Sequence, residues 1–210
     1  MIIERVVSDL LDSNMYLICE NQRTIIVDPC IIDKKIFNVD YILLTHEHYD
    51  HISGVNYWKS KTGAKVIASE ICAEKCIDSR KNLSRYFDSF CDIQTWLEGY
   101  VAPQVSDYEC EVDLTFNKNC KIEWEGHSIC IKECPGHSLG SCLIFLDDKF
   151  VFSGDSIFEN MKTESGFPGG SRKAWREVGY PLVESLRDDY IVYPGHFKEF
   201  IFKDRYKNNK

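Results

Sequence analysis

Between Leu43 and His51 the sequence reads LLTHEHYDH, an apolar run followed by His46, Glu47, His48, Asp50 and His51. The chain has six histidines, so half of them fall in this one segment. Neutral imidazole and carboxylate are the natural ligands of zinc and similar divalent ions. Two more histidines and an aspartate stand in comparable settings: His137 in KECPGHS, Asp155 in FVFSGDS and His196 in IVYPGH. Each closely follows an apolar run, and the glycine before each lets the backbone turn tightly enough to aim the side chain. Five imidazoles and two carboxylates exceed the three or four protein ligands that one zinc takes. They point to two adjacent divalent ions sharing a carboxylate such as Asp155.

Such a cluster needs a rigid frame. IIERVV, NMYLICE and RTIIVDP read as short strands, and VDYILLT, apolar on both faces, as a central strand covered on both sides. SGVNYWKSKTG predicts a helix closed by Gly63, with the strand AKVIAS after it. Residues 70–100 are helical in pattern, with apolar spacing of three and four around Leu83, Phe87 and Phe90. The second half returns to strands, CKIEWEG, SICIKECP, SCLIFLDD and KFVFSGD, with hairpin turns expected at Gly126–His127 and Asp147–Asp148. A Gly/Pro loop, ESGFPGGS, then leads to the helix RKAWREVGYPLVESLRDD and the strand YIVYP. This pattern predicts an α/β fold with its chemistry at strand ends.

THEHYDH resembles the T-H-x-H-x-D-H signature of the metallo-β-lactamase fold superfamily. CPGHSLGS is similar to its second-histidine segment, FSGDSIF to its bridging-aspartate segment and YPGH to its last-histidine segment, all in the family's order. The resemblance implies a four-layer αββα sandwich, one hydrolase domain over residues 1–210 with a helical insertion near 70–100. It assigns His46, His48 and His137 to a first metal, and Asp50, His51 and His196 to a second. Asp155 bridges the two ions, and Asp28 supports the ligands from behind. Two zinc ions would hold a bridging hydroxide that attacks the carbonyl of a small thioester or ester, with Asp50 orienting it or moving a proton. An aspartate rather than a cysteine at the bridging position argues against β-lactam cleavage. YPGH and FPGG resemble the hydroxyacylglutathione hydrolase (glyoxalase II) branch, but the chain runs only 14 residues past His196, so the helical C-terminal domain of those enzymes is expected to be absent. Alternatives on the same ligands are a mononuclear iron persulfide dioxygenase, a lactone or phosphodiester hydrolase, and an inactive metal-binding module.

Composition narrows the partners. A net charge of −8 with no basic block argues against nucleic acid and anionic membranes, leaving a small-molecule substrate. The charged N-terminus lacks the apolar core of a secretion signal, which predicts a cytoplasmic protein. The ten scattered cysteines then read as reduced, mostly buried small apolar residues, with Cys72 and Cys76 as a minor metal-pair alternative. Glu47 alternates away from His46 and His48 and is expected to face solvent or a local partner, and His127 to be a turn residue. Tyr86, Phe87, Phe90 and Trp96 are expected to lean over the cleft as a substrate wall, the competing reading being a helix's core face. Arg172 and Lys173 open a helix, with anion binding as the lesser alternative.

Overall fold

Alternation of apolar side chains builds two six-stranded sheets in the computed structural model, which describes residues 1–32, 36, 38–92, 100, 101 and 103–204. The first sheet runs β1 (Ile2–Val7), β2 (Asn14–Glu20), β3 (Arg23–Val27), β4 (Val39–Leu43), β5 (Lys65–Ser69) and β6 (Leu114–Phe116), in that spatial order. Its first three strands pair antiparallel and the rest parallel. The second contains β7 (Asn119–Trp124), β8 (His127–Glu133), β9 (Cys142–Leu146), β10 (Phe150–Gly154), β11 (Ile191–Pro194) and β12 (Phe200–Ile201). Its pairs are antiparallel except β10 with β11.

Period-two alternation divides each strand between two cores. Tyr16 and Ile18 of β2, Ile25 and Val27 of β3, and Cys142, Ile144 and Leu146 of β9 fill the space between the sheets. On the outer face of the first sheet, Met15, Leu17 and Ile26 meet helix α1 (Tyr49–Ile52), α2 (Val55–Thr62) and α3 (Glu70–Cys76) through Ile52, Trp58 and Cys72. Outside the second sheet, Leu143, Phe145 and Val192 pack against Val183. The layers are therefore helix, sheet, sheet, helix.

Local chemistry sets the boundaries. Gly63 closes α2 at φ 72°, its N–H bonding the carbonyl of Lys59. The β2–β3 hairpin turns on Asn21 and Gln22, both with positive φ. The β7–β8 turn centres on Glu125–Gly126, one residue before the expected position, because His127 already pairs with Trp124. The 70–100 segment is not one helix. After α3 the chain breaks where Asn82 Oδ1 and Asp78 Oδ1 accept from the N–H groups of Ser84 and Arg80, the competition that polar residues offer a helix. A 3₁₀ turn (Ser84–Tyr86) then leads into α4 (Phe87–Asp92). The last helical stretch is α5 (Arg172–Ala174), a π-turn (Trp175–Gly179) and α6 (Tyr180–Glu184), the irregularity falling just before Pro181, which lacks an N–H. Among the described residues no helix is long and apolar enough to cross a membrane.

Candidate metal centre

Four strand ends converge at one edge of the sandwich. The segment after β4 carries His46, His48, Asp50 and His51, while the ends of β8, β10 and β11 deliver His137, Asp155 and His196. Six of these side chains are buried and Asp155 nearly so. His48 Nδ1 lies 3.0 Å from His137 Nε2, and His137 Nε2 lies 3.4 Å from Asp155 Oδ2. His51 Nε2 is 3.2 Å from Asp50 Oδ2 and 3.5 Å from Asp155 Oδ1. His196 Nε2 is 3.5 Å from an oxygen of each of the same two carboxylates. Gly195 is required by this crowding, since a Cβ there would press on Asp155 Oδ1 and stand 2.8 Å from His51 Cε1.

These separations suit ions. A tetrahedral zinc with bonds of about 2.0–2.1 Å spaces its ligand atoms roughly 3.3 Å apart. Two ligand-atom groups, His46/His48/His137 and Asp50/His51/His196, each fall within 4.8 Å, and Asp155 touches both. Nε2 of His46 and Nε2 of His48 are buried and make no hydrogen bond, which is costly unless something else meets them. His51 Nε2 and Asp155 Oδ1, also buried, approach each other or Asp50 without hydrogen-bond geometry. The chemistry of the donor set therefore fits divalent ions.

The far side of four of the five rings is held. Asp28 accepts from Thr45 N at 2.7 Å and Thr45 Oγ1 at 2.6 Å, and its Oδ2 lies 3.2 Å from His51 Nδ1. Thr45 Oγ1 lies 3.0 Å from His46 Nδ1. His137 Nδ1 meets the carbonyl of Glu164 at 3.2 Å, and His196 Nδ1 that of Leu11 at 3.0 Å. Such contacts fix ring orientation, and with it which nitrogen faces an ion.

Electrostatics separates the histidines into two kinds. Burial pushes His48 and His137 down to about 4 and His46 well below its ordinary range, so their lone pairs are free at neutral pH. Burial opposes charge on His51 and His196 as well, but Asp50 and Asp155 outweigh it. His51 stands well above its usual value and His196 is raised to about 9. Although burial pushes the other way, these histidines hold Asp50 and Asp155 ionised, far below the carboxylate range.

The family model of the metallo-beta-lactamase superfamily matches residues 8–196. The chain belongs to that superfamily. A hydroxyacylglutathione hydrolase of Pelagibacter ubique is 27% identical over 202 residues, spanning 91% of this chain and 70% of that protein. A second protein so named, from Rhodopseudomonas palustris, is 25% identical over 166 residues, and the chain covers 51% of its length. Among solved structures, the BLEG-1 B3 metallo-beta-lactamase superposes with a TM-score of 0.71 at 19% identity, covering 97% of this chain and 95% of that one. The likeness extends the αββα fold over nearly the whole chain. Superfamily membership with such relatives is consistent with a metal-dependent hydrolase.

Beside the centre lies a cavity of about 260 Å³, lined by His48, Asp50, His137, Asp155 and His196 on the floor. Its described walls are Leu11, Phe158, Met161, Lys162, Glu164, Phe167 and Phe197. Of the four aromatics expected to form a substrate wall, the two whose side chains the structure describes, Tyr86 and Phe87, are not among these lining residues. Phe87 is 2% exposed and packs against Tyr49 at 5.2 Å between ring centres and against Leu11, so it backs one wall residue from the core. Tyr86 is exposed and does not line the cavity. Trp96 and the side chain of Phe90 lie outside what the structure describes. Arg172 and Lys173 are exposed at the start of α5 and line no part of the described cavity. Glu47 is wholly buried rather than solvent-facing. His127 belongs to none of the ligand groups, and its Nδ1 lies 2.6 Å from Asp147 Oδ2. Five of the seven described wall residues follow β10 in FENMKTESGF; a loop directly after the aspartate-bearing strand was the available signal for them.

Proposed function

We propose that the protein is a dinuclear metal-dependent hydrolase of small thioesters or esters, with zinc at both positions. The observation that carries this reading is the convergence of seven histidine and aspartate side chains with several buried donor atoms left without a hydrogen bond. Bound there, two divalent ions supply Lewis acidity for an acyl carbonyl and bring a water's pKa toward neutrality. His46, His48 and His137 would hold one ion and Asp50, His51 and His196 the other, with Asp155 shared. Asp50, an ionised carboxylate that also lines the cavity, would orient a water or hold its proton. Phe158, Met161, Phe167 and Phe197 exclude solvent from the reacting acyl group, which strengthens the electrostatics inside. Lys162 is the one cationic side chain among the described wall residues and suits a substrate bearing a carboxylate.

The names of the relatives make a glutathione thioester a sensible probe, alongside small thioesters, esters and lactones. Purified protein should contain about two equivalents of zinc and hydrolyse a thioester in preference to a lactone. A single equivalent of iron, with oxygen consumed in the presence of a persulfide, would replace this reading with oxygenation.

A further inference from the structure

The extended segment that carries His46 and His48 presents Glu47 to the opposite side, as alternation in an extended chain requires. There its carboxylate is fully buried and meets two partners. Lys75 Nζ of α3 donates to Oε1 at 2.6 Å, and Ser138 Oγ lies 2.6 and 2.5 Å from the two oxygens. Ser138 adjoins His137. Lys75 Nζ also donates to the carbonyl of Gly169 at 3.2 Å, in the loop that brings Glu164 and Phe167 to the cavity. Gly140 closes the pocket, because a Cβ there would sit 2.5 Å from Glu47 Oε2 and 2.8 Å from the backbone of Cys72. One buried ion pair thus touches a residue beside each of His46, His48 and His137, and a cavity-wall loop.

We propose that the Glu47–Lys75 pair, together with Ser138, is a positioning device that sets His46, His48 and His137 in metal-binding register and ties them to the 164–170 wall. The lever is geometric. Neighbours on an extended segment point in opposite directions, so pinning the Glu47 side chain on one side fixes the rotation of His46 and His48 on the other. Ser138 does the same for His137. Removing one partner leaves the other charge buried and unpaired, so the segment must turn to rehydrate it and the histidines turn with it. Replacing both partners by neutral groups relieves that need.

This inference rests on the metal-site reading, and the test keeps the two apart. Zinc affinity is measured by chelator competition, and the Co²⁺-substituted protein by its visible absorption, with urea unfolding alongside. Wild type that binds no zinc would remove the metal reading itself. Given binding, Lys75→Met should weaken zinc affinity about tenfold and alter the Co²⁺ spectrum, a size typical for groups that orient ligands. Adding Glu47→Gln to Lys75→Met should restore both in large part. Ser138→Ala, which deletes one hydroxyl, should weaken zinc binding in the same direction and stands in if Lys75→Met fails to fold. If the folded variants lose stability but keep wild-type zinc affinity and Co²⁺ spectrum, the pair is only a core contact and the inference is wrong.

Discussion

At the scale of single residues, Asp155 and His127 make the sharpest contrast. Asp155 lies within 3.5 Å of the ring nitrogens of His51, His137 and His196, and one of its oxygens makes no hydrogen bond. His127 meets only Asp147 and a tilted Trp124 ring among its described contacts. Asp155→Ala should therefore lower bound metal and reduce hydrolysis by several orders of magnitude, whereas His127→Ala should change neither. Metal counting on both variants checks this, and equal behaviour would dismiss the ligand assignment. Asp28 shows how residue chemistry and backbone conspire. It sits at φ 49°, a conformation that few residues besides Gly, Asn and Asp accept readily, and from there both carboxylate oxygens reach the ligand segment.

At the scale of elements, the strand that ends in a ligand is the unit the sequence displays best. The runs before His46, His137, Asp155 and His196 are apolar and short, and each became a strand delivering its residue to one edge. The wall is a different matter. Phe87 carries the helical spacing of a core face, and spacing alone does not say which core it meets; it meets Tyr49 and Leu11. Phe167 lies in a Gly/Pro loop without periodicity, so nothing local marks it as facing a cavity, yet its ring stands 5.9 Å from that of His137. The two aromatics should respond differently to truncation. Phe87→Ala should cost about 3–5 kcal/mol of stability and leave substrate preference unchanged, as for a buried aromatic. Phe167→Ala should raise KM about tenfold with metal content intact, as for lost apolar contact. Urea unfolding and steady-state kinetics on both variants decide it, and a KM effect confined to Phe87→Ala would reverse the assignment. Glu47 escaped the sequence reading for a related reason. Alternation shows that it points away from the ligands, but only the packing of α3 and the Ser138 turn shows that its side of the chain is interior.

At the scale of the whole molecule, the clustered histidines link fold stability to both pH and metal. In metal-free protein His48 and His137 titrate at about 4 when folded, against an ordinary value of 6.5. Between those limits the unfolded chain binds more protons, so stability falls as pH drops through the window. His196 is shifted the other way, to about 9, and His51 also upward. Their contribution is fully present below 6.5 and is lost as pH rises through the folded value. Asp50 and Asp155, held ionised throughout, supply the attraction. The urea midpoint of the metal-stripped protein should therefore peak near pH 6.5 and decline on both sides. Ions bound as proposed would replace the protons on His51 and His196, so the loaded protein should lose the alkaline decline and retain the acid one, where protons compete with metal. Stabilisation by zinc should accordingly grow from pH 6.5 to 9. A metal-free midpoint that stays level across that alkaline range would mean that these two histidines are not held as cations between the carboxylates, and the second triad would need to be redrawn.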